Sequence, residues 1–476
     1  MPEGHRCGDL HRIISSSVVL LDVNEIGAVV VAFQGPPTRC RGSRRQAKRL
    51  RGAARLKVPA LHHLLGREQS PHLVLGCGAM GTASETTRAS RRRHLGVVVA
   101  IASICALFVS SGAIAASPVR AAGHAVRPHG FSLLLAADRG QGSNSLNWVS
   151  CLPTTCFAVG WGLVGNFERT LIEQRRAHGW AVLPSPNVAS GENLLQGVDC
   201  KSVTFCMAVG WHRTTSGFQP VIERWNGAGW ALLPNPATQG PANAFNAVSC
   251  ASTTMCVAVG RGFGTPNRTL VAMWNGRAWT VAHTPNPTSA DDVLSAISCP
   301  TTTACTAVGT DGNGSVEHTL VLQWRGAGWT IAPSRDHGSS PGYLNGVSCL
   351  SATSCRAVGQ YKQGVYLTLI EAWNGHTWAI QPSPNVNAAT LNNLSDVACT
   401  SSNSCVAVGS SSTGSMRNLV ERWNGHTWTI GPVPNAPGGD NSLSAISCVS
   451  ATSCTSSGVL STSPDMLDRT FALVGH

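Results

Sequence analysis

The chain has 476 residues, which is enough for two or three domains and for a sizeable core. Its formal net charge is +12, but residues 1–130 carry 18 Lys and Arg against 6 Asp and Glu, whereas residues 131–476 carry 17 of each sign. The larger part of the chain is therefore neutral and lacks the positive excess with which proteins attract nucleic acid. No nucleic-acid partner is expected.

An export signal is predicted over residues 80–116. The arginines at 91–93 form a basic segment, residues 95–115 are apolar, and the small residues at 113–115 offer a cleavage site. His94 stands where the twin-arginine pattern prefers an aromatic residue, so the twin-arginine and general secretory routes both remain open. The alternative is an uncleaved membrane anchor, because about 20 apolar residues can span a bilayer. Apart from such an anchor, no membrane contact is expected.

The segment before this signal, residues 1–79, is rich in Arg and has no steady periodicity. Export signals stand at the N-terminus and Met80 would be an ordinary start, so we interpret residues 1–79 as a non-native or disordered extension. A genuine cytoplasmic extension is the alternative. Residues 117–130 are interpreted as a linker, and the repeating domain is expected to span residues 131–476.

Fourteen of the 18 cysteines fall into seven close pairs, and the first cysteines of the pairs recur every 49 or 50 residues. The pairs are Cys151/Cys156, Cys200/Cys206, Cys250/Cys256, Cys299/Cys305, Cys349/Cys355, Cys399/Cys405 and Cys448/Cys454. A regular, even set behind an export signal predicts disulfides that form in an oxidising compartment. Structural zinc would need closer pairs that converge on one ion, and no His recurs beside these cysteines, so neither a metal nor another cofactor is expected. The loop of the first pair is one residue shorter than the others, and we expect it to be the most distorted.

Each repeat of about fifty residues is predicted to form four short β-strands. In residues 344–385 the runs LNGVSC, CRAVG, YLTLIEAW and TWAIQP are rich in Val, Ile, Thr and Trp, and turn residues separate them. The Asn374-Gly375 pair favours the positive φ angles of a tight hairpin turn. No segment after residue 131 has a sustained helical period, so the domain is expected to be all-β.

Four antiparallel strands repeated at this period describe the blade of a β-propeller, because a lone four-stranded sheet cannot bury both faces and must stack on its neighbours. Seven cysteine pairs predict seven blades. The last repeat holds only three strands, around residues 443–448, 454–458 and 469–474, while FSLLL (131–135) aligns with the fourth strand of the other repeats. We therefore predict that FSLLL pairs with RTFALV (469–474), so that strands from both ends of the domain close the last blade.

The repeat resembles the kelch group of propellers, and the chain is similar to secreted bacterial propeller repeat proteins. IEAWNGHTWAIQPSPN (370–385) looks like the third and fourth kelch strands, although a single Gly closes CRAVG (355–359) where kelch has two. NGHTW (374–378) also resembles the Asp-box hairpin of sialidase-like propellers, with Asn in place of the aspartate. This resemblance implies architecture rather than activity. A copper oxidase of the kelch-related galactose oxidase type is not expected, because the domain has three tyrosines, Tyr343, Tyr361 and Tyr366, and no visible tyrosine–histidine cluster.

Tryptophans recur in pairs around the turn between the third and fourth strands, and a glutamate recurs on the third strand. The pairs are Trp225/Trp230, Trp274/Trp279, Trp324/Trp329, Trp373/Trp378 and Trp423/Trp428, with Arg175/Trp180 as a degenerate version, and the glutamates are Glu173, Glu223, Glu371 and Glu421. The functional interpretations are sugar-stacking platforms and catalytic carboxylates. Because repetition in every blade favours packing, we interpret the tryptophans as inter-blade core and the glutamates as structural or solvent-facing.

Ligand contacts are expected where the repeats disagree, in the predicted loops between the second and third strands. The candidates are Trp161, Trp211, His212, Arg213, Arg261, Phe263, Asp311, Tyr361 and Lys362. The alternative is that these loops vary because drift is tolerated there. The same loops are expected to share one side of the propeller with the connections between blades.

Two functions remain open from the sequence. The first is a secreted, non-catalytic propeller, expected to be a monomer, that binds a cell-wall glycan or an extracellular protein on its variable loops. The second is an extracellular carbohydrate-active enzyme, a glycoside hydrolase or a lyase, which would need two neighbouring carboxylates. The non-repeating acids Asp199, Asp292, Asp311, Asp336 and Asp396 are available for this chemistry, but the sequence alone brings no two of them together. No catalytic residue is assigned.

Overall fold

The structure of the protein is a computed structural model that describes residues 130–475, except 139–141, 177–178, 189–190, 237–241, 288–290, 313–315, 339, 388 and 463–466. The predicted extension, the predicted export signal and residues 117–129 of the predicted linker lie outside the described residues. All described residues belong to one compact unit, Ser117–His476. Across the described ranges, no helix is long and apolar enough to cross a membrane.

The described residues are all-β and form 28 strands, the first of which is β1 (Phe131–Leu135). Sheet 1 contains β2 (Asn144–Leu152), β3 (Thr155–Val164), β4 (Phe167–Arg176) and β5 (Gly179–Leu183), and sheet 2 contains β6 (Asn193–Ser202), β7 (Phe205–Thr214), β8 (Gly217–Trp225) and β9 (Trp230–Leu232). Sheet 3 contains β10 (Ala242–Ser252), β11 (Met255–Phe263), β12 (Arg268–Trp274) and β13 (Trp279–Ala282), and sheet 4 contains β14 (Asp291–Thr301), β15 (Ala304–Gly312), β16 (Glu317–Trp324) and β17 (Trp329–Ile331).

The remaining strands continue the same pattern. Sheet 5 contains β18 (Gly342–Ser351), β19 (Ser354–Gln363), β20 (Val365–Trp373) and β21 (Trp378–Ile380), and sheet 6 contains β22 (Leu391–Ser401), β23 (Ser404–Ser412), β24 (Met416–Trp423) and β25 (Trp428–Ile430). A single parallel pair, Tyr366 with Leu391, links sheets 5 and 6. Sheet 7 contains β26 (Gly439–Ser450), β27 (Ser453–Thr462), β28 (Leu467–Gly475) and, as its fourth strand, β1. All pairs within a sheet are antiparallel, and the prediction of four-stranded antiparallel repeats is confirmed.

The turn between the third and fourth strands follows from the Asn-Gly pairs of the sequence. In sheet 5, Oδ1 of Asn374 accepts hydrogen bonds from the backbone N–H groups of His376 and Thr377, each with an N–O distance of 2.9 Å. Gly375 has a φ of 97°, a left-handed conformation that glycine adopts without strain. The asparagine therefore fixes the turn through its carbonyl oxygen.

All seven predicted cysteine pairs form disulfides, which indicates an oxidising environment. Each disulfide bridges the first and second strands of its sheet, across a Cα–Cα distance of 4.0 Å in sheet 6. The bonds are Cys151–Cys156, Cys200–Cys206, Cys250–Cys256, Cys299–Cys305, Cys349–Cys355, Cys399–Cys405 and Cys448–Cys454.

The loop of the first disulfide is regular. In sheets 2 to 7 a register shift at the first cysteine accommodates the longer loop. The register of sheet 1 continues without a shift through Cys151 and Leu152. The expectation of a distorted first loop is wrong, because the shorter loop fits a regular two-residue hairpin.

The second cysteine of each disulfide is a core residue. All seven of these side chains are at most 3% exposed, and they are Cys156, Cys206, Cys256, Cys305, Cys355, Cys405 and Cys454. Each packs in the hydrophobic cluster that its sheet shares with a neighbouring sheet. The second cysteines therefore anchor the disulfide hairpins in the core.

The hydrophobic core lies between consecutive sheets. One cluster joins Val358 and Ile370 of sheet 5 to Leu394, Val397 and Trp428 of sheet 6. Burying each such side chain contributes roughly 1.5–3 kcal/mol. The second tryptophan of each pair is at most 8% exposed, and this set comprises Trp180, Trp230, Trp279, Trp329, Trp378 and Trp428. These tryptophans therefore belong to the core, as predicted.

A ladder of hydrogen bonds connects the first strand of each sheet to that of the next. In every sheet except sheet 6, the residue directly before the first cysteine has a side chain that accepts a hydrogen bond. The donor is the backbone N–H of the first cysteine of the next sheet. The bonds join Ser150 to Cys200 (3.0 Å), Asp199 to Cys250 (2.6 Å), Ser249 to Cys299 (3.0 Å), Ser298 to Cys349 (3.0 Å), Ser348 to Cys399 (3.0 Å) and Ser447 to Cys151 (2.9 Å). Between sheets 6 and 7 the position holds Ala398, and there Asp396 accepts the N–H of Ile446 at 2.9 Å. The ladder thus runs from sheet 7 back to sheet 1.

Replacing Ala398 with Ser is expected to raise the free energy of unfolding by about 1 kcal/mol, because the new hydroxyl can accept the N–H of Cys448 as its counterparts do. Guanidinium denaturation without reductant measures this change. Ser298→Ala is the matched control, and it should lower the stability by a similar amount. An Ala398→Ser chain that is no more stable than the parent would contradict the role given to the ladder.

The first strand makes in sheet 7 the contacts that a fourth strand makes in the other sheets. β1 pairs with β28 from Phe131 opposite Gly475 to Leu135 opposite Phe471. Beyond β1, Asp138 accepts the backbone N–H of Thr470 at 3.0 Å. The same bond joins Asn385 to Thr368 in sheet 5 at 2.9 Å, across 17 residues of sequence instead of 332. Segment 131–138 therefore completes sheet 7.

Candidate functional site

The nine predicted contact residues lie in strands rather than in loops. Trp161 lies in β3, Trp211, His212 and Arg213 in β7, Arg261 and Phe263 in β11, Asp311 in β15, and Tyr361 and Lys362 in β19. The expectation that these residues lie in loops is wrong, because the second and third strands of each sheet continue up to a short turn. One such turn is at Gly165, which has a φ of 63°. These strand ends do adjoin the connections between sheets, since the N–H of Arg213 donates to the carbonyl of Glu192 at 2.9 Å.

Four of the nine residues meet in an aromatic–arginine cluster between sheets 2 and 3. Trp211 contacts Phe218 edge-on with 4.6 Å between ring centroids, and Phe218 lies 5.1 Å from Phe263. The guanidinium of Arg213 lies 5.6 Å from the centre of the Phe218 ring, and that of Arg261 lies 4.5 Å from the centre of Phe263. These arginines and rings already cover one another, so the cluster seals a junction through cation–π and aromatic contacts.

The other predicted contacts are dispersed. Tyr361 stacks on His337 with 4.2 Å between ring centroids, and the ammonium of Lys362 lies 5.6 Å from the Tyr366 ring. His212 is half-buried, and this burial lowers its pKa. Trp161 stands on β3 opposite residues of β2 and β4. No single ligand site collects all nine residues.

Three of the five non-repeating acids meet in sheet 4. Asp292 and Asp311 stand directly opposite each other on β14 and β15, and Asp336 contacts His318 at 2.9 Å. The pKa of Asp292 is raised to about 6, chiefly by burial, with the hydrogen bond from Arg268 lowering it and the charge of Asp311 raising it. Asp292 is fully buried, and its Oδ2 lies 3.2 Å from Nη1 of Arg268. The pair is therefore more suited to structure than to reaching a substrate.

The recurring glutamates are buried and hold the connection that precedes their sheet. The N–H of Ala137 donates to Glu173 (2.9 Å), Ser185 Oγ to Glu223 (3.0 Å), the N–H of Arg335 to Glu371 (3.1 Å) and Ser383 Oγ to Glu421 (2.8 Å). Burial raises the pKa of each of these four carboxyls to about 8. The structural interpretation is confirmed and the solvent-facing one is wrong, because all four side chains are 0% exposed.

A neutral polar cavity, referred to below as the central cavity, lies among the first strands of the sheets. The residue four positions before each first cysteine is Asn147, Gln196, Asn246, Ser295, Asn345, Ser395 or Ser444. All seven are half-buried, although the residue before each of them is 0% exposed. Six of the seven line one cavity of about 380 Å³, and in the described part of the chain neither a charged residue nor a disulfide cysteine lines it.

Hydrogen bonds to the next sheet hold the asparagines of the central cavity in place. Nδ2 of Asn147 donates to the carbonyl of Leu195 at 2.9 Å. Nδ2 of Asn246 makes the same bond in the next repeat, to Leu294 at 2.8 Å. Because one amide N–H is fixed in this way, the remaining donor and acceptor capacity of each side chain is pre-oriented.

Trp148 forms an aromatic wall of this cavity. At the equivalent position the other sheets carry Gly197, Ala247, Ala296, Gly346, Asp396 and Ala445. The indole packs against core clusters of sheets 1 and 2, of sheets 4 and 5, and of sheets 7 and 1. It therefore reaches across the cavity from sheet 1 to the junction of sheets 4 and 5. Within the described residues, the side chain of Trp148 makes no hydrogen bond.

A second neutral groove adjoins the central cavity. It shares Ser395 and Ser442 with the cavity and adds Asn345, Asn393 and Gln360. Nδ2 of Asn345 donates to Oδ1 of Asn393 at 2.9 Å, whereas Oε1 of Gln360 is buried without a hydrogen-bond partner. No charged side chain of the described residues lines the groove. It therefore extends the neutral surface of the central cavity toward the ends of the second strands.

Comparisons with known proteins identify the fold. No family model matches the chain, and no curated protein matches it. A PL25 ulvan lyase bound to -[GlcA(1-4)Rha3S]- has a TM-score of 0.54 at 10% identity, covering 72% of this chain and 96% of that chain, and a second ulvan lyase structure has 0.51 at 11% identity, covering 73% and 94%. YCF48 from Cyanidioschyzon merolae is 15% identical with a TM-score of 0.48, covering 73% and 99%. The two ulvan lyase structures, which have the higher TM-scores, are β-propellers. The chain has a β-propeller fold.

The sheets of a propeller surround a central channel, and the central cavity of this propeller is built by the first strands of its sheets. Two signals in the sequence could have found it. The residue four positions before each first cysteine is always an amide or a hydroxyl, and Trp148 is the one aromatic residue at the following position. Neither signal is used in the predictions from the sequence, because recurring residues are interpreted there as packing residues and ligand contacts are expected only in variable segments. In the part of the propeller that the structure describes, no group of three or more His, Cys, Asp or Glu side chains is arranged to hold a metal ion.

Proposed function

We propose that the protein is a secreted, closed, seven-bladed propeller that acts as a non-catalytic binding module. The ladder from Ser447 to Cys151 and the pairing of β1 with β28 support a closed ring of seven blades. The seven disulfides support export, for which residues 80–116 would supply the signal. The hairpin in which Asn374 accepts two backbone N–H groups supports a relationship with kelch and Asp-box propellers of secreted bacterial proteins.

The proposed ligand is a neutral glycan that occupies the central cavity. Trp148 carries this proposal, because a single indole stands in a cavity that amides, hydroxyls and Leu443 otherwise line, and no charged side chain of the described residues lines it. Amide and hydroxyl side chains both donate and accept, which matches the hydroxyl groups of a sugar. The indole offers an apolar surface to the C–H groups of a sugar ring and one free N–H donor. The proposed partner is a cell-wall glycan, and an extracellular protein is the alternative partner.

Trp148→Ala is expected to abolish glycan binding while the chain still folds. Three other sheets carry alanine at this position, so the local backbone accepts it. The full chain, produced in an oxidising compartment, would be screened on an array of neutral cell-wall and plant oligosaccharides, and hits measured by titration calorimetry. We expect the variant to lose at least 100-fold in affinity, which corresponds to about 2.7 kcal/mol.

Trp161→Ala is the matched control, because Trp161 is a half-buried tryptophan of the same sheet that does not line the central cavity. It should bind normally. Binding that survives Trp148→Ala but is lost in Trp161→Ala or Trp211→Ala would move the site to the ends of the second and third strands. Binding of acidic glycans alone would also contradict a neutral ligand.

The second candidate function is a carbohydrate-active enzyme, and the acids of sheet 4 are the observation that favours it. Asp292 has a pKa raised to about 6 and stands opposite Asp311, so the pair could divide acid and base roles. Propeller scaffolds include a polysaccharide lyase, so the fold is compatible with this chemistry. Product release from a bound glycan that is lost in Asp311→Asn would establish the enzyme and overturn the non-catalytic proposal.

A further inference from the structure

Sheet 1 departs from the other repeats at the end of its third strand. Sheets 2 to 6 carry a tryptophan there, and its indole N–H donates to the hairpin loop of its own sheet in four of them, as Trp373 does to the carbonyl of Ala352 at 3.1 Å. Sheet 1 carries Arg175 at this position, opposite Trp180, and sheet 7 carries Gly475, opposite Phe131. Neither of the two sheets at the junction of sheets 7 and 1 therefore carries the third-strand tryptophan.

A pocket of about 350 Å³, referred to as the Arg175 pocket, lies at this junction. Its walls are the disulfide hairpin 151–156, the side chains of Arg175 and Arg176, and Ser453 and Thr455 of sheet 7. The polar groups of these walls include four hydroxyls, those of Thr154, Thr155, Ser453 and Thr455. Among the described residues no carboxylate lines the pocket, so both of its charged groups there are cationic.

The guanidinium of Arg175 is not neutralised within the described residues. Its Nη1 donates to Oγ1 of Thr455 at 3.3 Å, and this is its one side-chain hydrogen bond there. A guanidinium has five N–H donors in a planar fork. Most of the hydrogen-bonding capacity of Arg175 therefore remains available beside an open volume.

We infer that the Arg175 pocket binds an oxyanion group of a partner molecule, namely a carboxylate, a sulfate or a phosphate. The guanidinium fork matches two oxygens of such a group, and charge-assisted bonds of this kind are about twice as strong as neutral ones. The hydroxyl of Thr455 accepts from Arg175 and can itself donate to a further oxygen, whereas that of Thr155 already donates to the carbonyl of Arg175 at 3.0 Å. Arg176 adds a second positive charge. The pocket is separate from the central cavity and does not depend on the glycan proposal.

Arg175→Trp is the decisive variant, because it gives sheet 1 the residue that sheets 2 to 6 carry and fills the pocket. The full chain would be melted in rising sodium sulfate, sodium phosphate or sodium glucuronate, at constant ionic strength set with sodium chloride. We expect at least one of these anions to raise the melting temperature in a saturable way. The anion that acts identifies the group that the pocket takes. In Arg175→Trp the shift should disappear, and in Arg175→Lys the apparent Kd should rise about tenfold, because the planar fork is lost.

Arg224→Gln is the control, since Arg224 packs against Phe205 in sheet 2 and lies outside the pocket. It should keep the full anion-dependent shift. If Arg175→Trp does not fold, Arg175→Gln provides the same comparison with a smaller side chain. The inference is overturned if none of the three anions gives a saturable shift, or if the shift persists in the folded Arg175 variant.

Discussion

A chain that lacks residues 131–138 is expected to lose cooperative unfolding and to aggregate. The deletion removes β1, so β28, which carries the buried residues Phe471 and Leu473, becomes an exposed edge strand. It also removes Asp138, which holds the N–H of Thr470, and Ala137, whose N–H donates to Glu173 of sheet 1. Circular dichroism during thermal unfolding and size-exclusion chromatography would measure the outcome.

A matched pair of point variants separates the strand from the general effect of a deletion. Asp138→Ala and Asn385→Ala remove the same bond, in sheet 7 and in sheet 5. Each should lower the free energy of unfolding by about 1–3 kcal/mol, because a buried N–H loses its acceptor. If Asp138→Ala or the deletion leaves the denaturation midpoint unchanged while Asn385→Ala lowers it, segment 131–138 does not act as the fourth strand of sheet 7.

The propeller is expected to lose stability as the pH rises from about 4.5 to about 8. The four buried glutamates keep their protons up to a pKa of about 8 in the folded state, whereas in the unfolded chain they ionise near the ordinary value of 4.5. The folded state therefore binds more protons across this window, and the free energy of unfolding falls as the pH rises through it. The contribution is fully present below pH 4.5 and changes no further above about pH 8. A rise of even one pKa unit at each of the four carboxyls would cost about 5 kcal/mol at high pH.

Replacing all four glutamates with glutamine should remove most of this pH dependence. Glutamine keeps the carbonyl oxygen that accepts the bonds from Ala137 and Ser185, but it cannot ionise. Denaturation at pH 5, 7 and 9 without reductant would then give nearly equal midpoints, with the largest gain over the parent at pH 9. Glu317→Gln, at a half-buried strand end, is the control and should leave the parent profile intact. A parent protein that is more stable at pH 9 than at pH 5 would refute the proposed role of these carboxyls.

The four-stranded sheets could be predicted because each signal is local and repeated. The Asn374-Gly375 turn, the cysteine hairpin and the short β-branched runs each fix a few neighbouring residues. The pairing of β1 with β28 was predictable because FSLLL sits at the same distance before a cysteine as a fourth strand does elsewhere. Loop length was less predictable, since a polar, variable stretch such as residues 161–169 can continue as a strand when a glycine allows a tight turn.

The candidate site could not be assembled from the sequence because its parts are about fifty residues apart. A single Asn or Ser on a strand is unremarkable, and only the arrangement of the sheets brings Asn147, Asn246 and Ser395 to one cavity. The role of Trp148 could not be predicted for the same reason, because no neighbouring residue in the sequence indicates that its indole reaches sheets 4 and 5. The acids Asp292 and Asp311 likewise become neighbours only through the register of β14 and β15.

The position of β1 also sets the order in which the chain can finish folding. Each disulfide joins cysteines five or six residues apart, so every hairpin can form its own bridge as soon as it is synthesised, with little competition from the other cysteines. β1 is made before any of these hairpins, and its partner β28 is made after all of them. If the sheets form the closed ring that we propose, they can stack before β28 arrives only as an open row with two unprotected ends. The final step is therefore a long-range encounter across about 340 residues, and it should be the slow phase of folding.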